Sequence, residues 1–256
     1  MDDGFVPYPM FVNLRGKHCV VVGGGEVAAR KIAALLEAGG RVTVISPAAV
    51  EPIERWAERG RLTWVRSAYD TSALQSATAA EKPAEPPGPA VRSECAAAYA
   101  PFLVVAATND REVNRRVAAD AASLRALVDV VDDPGRGDFI SPAIVRRGRL
   151  TIAVSTAGAS PTVTQTICRQ IGEMYGEEYA AYLDLLARLR SIIQERVPDA
   201  VLRRRLLREI ARWDLLAAVR SCRWERVKEE LVREFQRDPS WKTAERWSAK
   251  FGGWKE

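Results

Sequence analysis

A single histidine in 256 residues, His18, leaves little room for imidazole chemistry. It precedes the first expected strand, on the side opposite the expected ligand edge, so it reads as a packing or surface residue. No His-based general base, metal cluster or Ser-His-Asp triad can be built on it. The four cysteines, Cys19, Cys95, Cys168 and Cys222, lie far apart with no C-x-x-C pair. Cys19 falls in an expected buried strand, so reduced thiols fit better than disulfides or a zinc site. No apolar run approaches the ~20 residues that span a bilayer. The first residues, MDDGFVPYPMF, lack the basic start and long apolar core of a signal peptide. The expectation is a soluble, cytoplasmic protein without a metal site.

What is present is an ordinary globular composition, 47% hydrophobic, long enough for one large domain and something smaller. Charge is uneven. Residues 1–180 carry 20 Lys and Arg against 21 Asp and Glu, whereas residues 181–256 carry 18 against 12. A basic C-terminal third could face nucleic acid, a membrane surface or an acidic small molecule. Its acids and bases interleave, however, as on a solvated helical face.

The chain is organised around KHCVVVGGGEVAARKIAALLEAGGRVTVISP, Lys17 to Pro47. Cys19-Val20-Val21-Val22 reads as a strand buried on both faces, ended by Gly23-Gly24-Gly25. A helix opens at Glu26, Gly39-Gly40 close it, and Val42 to Ile45 form a second strand. This is a βαβ unit whose glycines match G-x-G-x-x-A through Gly23, Gly25 and Ala28. Gly23 permits the tight turn, Gly25 lets backbone approach a pyrophosphate, and Ala28 brings helix and strand close. The alternative is a glycine-rich turn with no nucleotide; the strand–helix context favours dinucleotide binding. The acidic residue usual roughly 20 positions on is missing, since the second strand runs out as Ile45-Ser46-Pro47-Ala48. Ser46 could still bond a ribose hydroxyl. No Arg or Lys follows until Arg55, which favours NAD over NADP.

Tyr8 to Val12 reads as an extended lead-in. Further on, a helix carries Ile53, Trp56 and Ala57, and Arg61 to Val65 form a third strand. Residues 77–100 are rich in Pro, Ala and Glu and read as a flexible insertion. Phe102 to Ala107 is another buried strand. Thr108-Asn109-Asp110 is helix N-cap chemistry for a helix from about Arg111 to Ala122. Leu127 to Asp132 is a strand ending in a carboxylate, and Asp133-Pro134-Gly135 turns the chain. Alternating strands and helices give a doubly wound parallel α/β sheet. Phe139–Val145 and Leu150–Ser155 then suggest a hairpin joined by residues 146–149. A helix starts near Pro161, and from Glu177 onward the pattern is helical. Tyr182, Leu186, Leu189 and Ile193 recur at core spacing, as do Leu202, Leu206, Ile210 and Trp213.

Ligands of such sheets bind outside the carboxyl ends of the strands. The glycine turn, Thr108-Asn109-Asp110 and Asp132-Asp133 all lie there. Asp132 could accept a proton beside a hydride transfer; Asp before Pro-Gly is equally ordinary turn chemistry. Ser155, Thr156 and Ser160, before a helix, fit either an anion site or simple capping.

Four stretches in order, VVVGGGEVAARKIAALLEAG, FLVVAATNDREVNRRVA, VDVVDDPGRGDFISPAIV and LTIAVSTAGASPTVTQTI, resemble the precorrin-2 dehydrogenase and sirohydrochlorin ferrochelatase module of siroheme synthases. The resemblance covers roughly residues 8–175, and beyond that only helical character matches. It implies a Rossmann-like domain over 1–141, a small α+β dimerisation region over 142–172 and a helical C-terminal domain over 173–256. The methyltransferase domain fused to the module in some siroheme synthases is expected to be absent.

The resemblance further implies NAD-dependent oxidation of precorrin-2, a tetrapyrrole with eight carboxylates, to sirohydrochlorin. Some family members then insert ferrous iron. Asp132 occupies the position of the family's catalytic aspartate, assisting proton removal as hydride passes to nicotinamide. The family's NAD contacts carry over to Gly25, Glu26 and Val27, to Pro47 and Ala48, and to Thr108 and Asn109; Gly23, Gly24 and Ser46 join them as cofactor-binding candidates from the glycine turn and the end of the second strand. Ser155, Thr156, Gly158, Ser160 and Pro161 match a segment lining the substrate cleft; family members often have a second glycine where Ala157 stands. A homodimer is implied, and the basic C-terminal third would attract the polycarboxylate. The alternative of another class is a non-catalytic NAD-binding regulatory or redox-sensing module whose basic helices contact DNA. It requires a recognition helix, which the helices of 181–256 do not display.

Overall fold

Short apolar runs, each too brief for a helix, pair side by side to form the centre of the first half of the chain. The computed structural model describes residues 6–79, 100–221 and 223–252. It divides into two units, one ending at Ser141 and one beginning at Pro142. In the first, β1 (His18–Val22), β2 (Arg41–Ile45), β3 (Thr63–Val65), β4 (Leu103–Ala106) and β5 (Leu127–Val130) form one sheet in the order β3-β2-β1-β4-β5. Every pairing is parallel.

Alternation along the strands explains why both sheet faces need cover. Cys19 and Val21 enter one core with Ala28, Ile32 and Leu35 of α1 (Glu26–Glu37) and Ile53 of α2 (Glu51–Glu58). Val20 and Val22 enter the other with Leu74 of α3 (Thr71–Ala79) and Val117 and Ala121 of α4 (Arg111–Ser123). Doubly covered parallel strands are therefore apolar almost throughout. Strand order reverses between β1 and β4, which opens the crevice where such sheets take ligands. At the other end of α1, Gly39 (φ +80°) and Gly40 donate to the carbonyls of Leu36 and Leu35, the paired bonds of a Schellman cap.

Several expectations shift. Thr71–Ala79 is helical, so residues 77–79 close a helix rather than open an insertion. Residues 80–99, with Cys95, lie outside the described residues, as does Cys222. His18 is the first residue of β1 and buried, its Nε2 3.1 Å from Thr43 Oγ1. β5 ends at Val130, two residues short of Asp132.

The second unit opens with the antiparallel pair β6 (Ala143–Arg147) and β7 (Leu150–Val154), closed by Gly148 and Arg149. Arg146 and Arg147 are strand residues, not turn, and 139–142 precede the strand. Gly148 takes φ +56° at the first loop position, the conformation tight hairpins ask of glycine. α5 (Pro161–Met174) follows. Then α6 (Glu178–Arg196), α7 (Ala200–Ile210), α8 (Leu215–Val219), α9 (Trp224–Arg237) and α10 (Trp241–Phe251) enclose Leu189, Ile193, Leu206, Trp213, Phe235 and Trp247. The periodic stripe residues Tyr182, Leu189, Ile193, Leu206, Ile210 and Trp213 are all buried, and Leu186 and Leu202 pack at the margin. Among the described residues no helix is long and apolar enough to cross a membrane.

Burial gives Cys19 a measurable signature. Fully enclosed in the sheet, its thiol is pushed up from 9.0 to about 11 by desolvation, with Arg41 opposing weakly. The unfolded chain releases this proton first, so the contribution is complete below pH 9 and disappears as pH rises to about 11. Two units correspond to about 3 kcal/mol. Urea unfolding at pH 8 and pH 11 should show the wild type losing that much more stability than Cys19→Ala. Equal losses in the two proteins would assign the effect to other groups.

Candidate active site

Steric exclusion shapes the turn after β1. Gly23 adopts φ +125°, and a Cβ there would overlap the Ala107 carbonyl. At Gly24 a Cβ would overlap the Ala48 carbonyl oxygen and stand 2.7 Å from Ser46 Oγ. Gly25 is different: a Cβ would meet nothing within 4 Å. The second glycine, a free position in the G-x-G-x-x-A pattern, is thus held by packing, while the third faces open space. Backbone bonds tie the neighbouring loop to the turn, from Gly23 N–H to the Ile45 carbonyl and from Val50 N–H to the Gly24 carbonyl.

α1 starts at Gly25 without a side-chain cap. Its first internal bond is donated by Ala29 to the Gly25 carbonyl. The N–H groups of Glu26, Val27 and Ala28 therefore lie in the unpaired first turn of a 12-residue helix, where the helix dipole favours an anion. Gly25, Glu26 and Val27 are exposed. Open space at Gly25 and donors behind it fit a diphosphate. Glu26 opposes that charge at close range.

Ser46 is buried and donates its hydroxyl proton to the Ala48 carbonyl at 2.6 Å, leaving only acceptor capacity for a ligand. Pro47 and Ala48 are exposed beside it. The Ser46 carbonyl accepts from Trp64 Nε1 at 2.9 Å, and the Arg66 guanidinium lies 4.2 Å from the Trp64 ring centroid. A cation thus reaches the β2 edge through β3, although the linear sequence offers none after Ser46 until Arg55.

The loop after β4 converges on Asn114, buried at 1% exposure in the first turn of α4. Its Oδ1 accepts from Thr108 N–H (3.1 Å) and Thr108 Oγ1 (2.7 Å). Its Nδ2 donates to the Thr108 carbonyl (3.0 Å) and to Asp132 Oδ1 (2.8 Å). Asp110 caps α4 through bonds from Glu112 and Val113. Asn109 is exposed and Thr108 half-buried. Asp132 Oδ2 lies 3.6 Å from Arg111 Nε, whose side chain is exposed. Asp133 instead pairs with Arg136 at 2.9 Å, across a 3-10 turn at Pro134–Arg136.

A buried carboxylate that no sequence motif marks lies deeper in the unit. Asp129, on β5, receives Lys31 Nζ from α1 at 2.8 Å and Ser141 Oγ at 2.7 Å. Only spatial proximity reveals it, because Lys31 and Asp129 are 98 positions apart. Removing either donor would leave a buried charge short of partners.

The first unit therefore brings together Gly23, Gly24, Gly25, Glu26, Val27, Ser46, Pro47, Ala48, Thr108, Asn109 and Asp132 along its carboxyl edge. Ser155, Thr156, Gly158 and Ser160 belong to the second unit. There Ala157 (φ +50°) and Gly158 (φ +85°) form a left-handed turn closed by the Ala159 N–H to Thr156 carbonyl bond. Alanine keeps the backbone shape at a conformational cost of about 1 kcal/mol. Ser160 Oγ caps α5 by accepting from Val163 N–H, and Thr156 Oγ1 lies 3.0 Å from Thr164 Oγ1. Only Ser160 caps the helix; Ser155 accepts from Ala157 N–H and Thr156 bonds Ser160 and Thr164 within the turn. Among the described residues no group of three or more His, Cys, Asp or Glu could hold a metal ion.

Comparison with known proteins agrees with this geometry. Residues 10–143 match the model of a family described as "Putative NAD(P)-binding". The chain is 34% identical to a siroheme synthase of Nitrosococcus oceani over 196 residues, 77% of this chain and 37% of that protein. It is 31% identical to one from Nitrosospira multiformis over 234 residues, 90% and 44% of the two lengths. It thus spans about two fifths of these curated relatives. Among solved structures, SirC, precorrin-2 dehydrogenase, superposes with a TM-score of 0.66 at 27% identity, covering 89% of this chain and all of that one.

The glycine geometry makes a direct stability prediction. Gly24→Ala should cost about 2 kcal/mol or more, because backbone rather than a movable side chain blocks the new methyl group. Gly25→Ala should cost less than about 1 kcal/mol, the loss expected of a poorer N-cap residue. Urea midpoints for the two variants check the contrast, and similar losses would refute the packing role assigned to Gly24.

Proposed function

The chain belongs to the NAD(P)-binding family it matches over residues 10–143, and from that premise we propose that it oxidises precorrin-2 to sirohydrochlorin with NAD. One observation carries the reading most: a carboxylate, Asp132, stands on the carboxyl edge next to β5 and is hydrogen-bonded into the loop after β4. A dinucleotide fold alone would not need an acid there. The similarity to siroheme synthases and to SirC supports the substrate class.

Bound NAD supplies the hydride acceptor. The remaining work falls to this chain's residues. Gly25 and the first turn of α1 would receive the diphosphate. Ser46 to Ala48 would border one ribose, and Thr108 and Asn109 would face the dinucleotide from β4. Asp132 would take the proton that leaves the macrocycle as its hydride departs, so two electrons and one proton pass to NAD and one proton to the carboxylate. Ser155, Thr156, Gly158 and Ser160 would contact the substrate's carboxylates through hydroxyl and backbone donors. Ferrous iron enters only as a further substrate. The setting we infer is the cytoplasm, where Cys19 stays a thiol.

We also infer a homodimer formed through the start of the second unit. α5 runs 14 residues without one buried residue, and Val163, Met174 and Ile144 are 49, 67 and 44% exposed. The β6–β7 hairpin packs on α5 and α6 of its own chain, and a second copy would cover the apolar side chains that stay exposed. Sedimentation should give a dimer that Val163→Glu weakens. A wild-type monomer at micromolar concentration would remove the dimer from the reading.

An anaerobic absorbance assay with precorrin-2 and NAD, before and after ferrous iron is added, tests the activity. We expect NAD-dependent sirohydrochlorin formation, lost by at least about 100-fold in Asp132→Asn while NAD binding persists. An iron-dependent spectral shift would add chelation to the same protein. Absence of oxidation by the wild type would overturn the proposal and favour a regulatory NAD-binding module.

A further inference from the structure

The hydrogen-bond capacity of Asn114 is full. A side-chain amide has two donors and an acceptor with two lone pairs, and all four are engaged here. Its orientation is fixed by the same network: the Thr108 N–H requires the oxygen on its side, so the NH2 group must face Asp132. Three of the four bonds hold the loop after β4 to the start of α4. The fourth reaches Asp132 Oδ1, on a different loop 18 positions away. That bond links the loop after β4 to the segment after β5 through one buried side chain.

We propose that Asn114 is the positioning residue of Asp132. This rests on the reading above, in which Asp132 accepts the substrate proton. The amide occupies Oδ1, so Oδ2 is the proton-accepting atom and the carboxylate cannot rotate to exchange them. Because the same amide grips Thr108, the carboxylate is also set in register with the loop expected to face NAD. Arg111, with an exposed side chain, lies 3.6 Å from Oδ2. Asn114 is buried at 1% exposure, so it acts through the atom it presents.

Asn114→Asp is the informative variant: it keeps the side chain's shape and the acceptor for Thr108, and replaces the NH2 group, which donates to both the Thr108 carbonyl and Asp132, with an oxygen. Kinetics should show kcat falling about 100-fold, the loss expected of a misplaced reacting group, with KM for NAD within about threefold of wild type. The double variant Asn114→Asp/Asp132→Asn restores one amide facing one carboxylate. It should regain the share of the melting temperature lost at the Asp132 contact, while the bond to the Thr108 carbonyl stays broken in both variants, and none of the activity. An unchanged kcat, or a rise in KM for NAD at constant kcat, would overturn the proposal by limiting Asn114 to its own loop. Additive losses of melting temperature in the double variant would do the same, because the two side chains would then be uncoupled. That thermal cycle needs no substrate. Should the wild type fail to oxidise precorrin-2, the functional reading falls, while the cycle still decides whether Asn114 holds Asp132.

Discussion

Two missing side chains set the spacing of everything on the ligand edge. The Ala107 and Ala48 carbonyls approach Gly23 and Gly24 so closely that no Cβ fits. The ends of β4 and β2 can close on the end of β1 only because nothing projects between them. Once they do, the α1 N-terminus, the Ser46 loop and the Thr108 loop become neighbours. A turn widened by even one methyl group would push the β2 loop away and separate the donors of α1 from that loop.

Given that constraint, the division of labour among the three glycines follows. Two are consumed by the protein's own packing, and the third, Gly25, faces open space. The G-x-G-x-x-A pattern weights the first and third positions, and from sequence Gly24 is indistinguishable from a neutral residue. Its role depends on Ala48, which reaches it only after β2 has paired with β1.

The same distinction separates what was legible in the sequence from what was not. Strands and helices carry their signal locally: an all-apolar run buried on two faces, a helical period with an N-cap before it and glycine after it. The five-stranded sheet and its covering helices could be read on that basis. α3 could not, because its amphipathic pattern runs into the Pro- and Ala-rich stretch. The partners of Asp132 and Asp129 lie 18 and 98 positions away, and pairing across such distances has no local signature. Arg66 shows the same limit from the other side: it is far along the chain from Ser46 and joins it through Trp64 because β3 lies beside β2. Ser46 itself was read correctly for place and incompletely for chemistry, since its proton goes to Ala48.

The two buried asparagine and aspartate hubs differ in kind, and the difference bears on where chemistry can occur. Asp129 is a charge deep in the unit, and its two donors satisfy it where it stands. A carboxylate so enclosed can hold α1 against β5 but cannot meet a substrate. Asp132 lies two residues beyond the end of the same strand, where one oxygen is tied to a neutral amide and the other faces the exposed Arg111 side chain at 3.6 Å. The amide fixes the geometry of that oxygen without adding another charge. Strand β5 thus delivers one carboxylate to structure and the next to the ligand edge, and the boundary between them is the point where the sheet's hydrogen bonding ends.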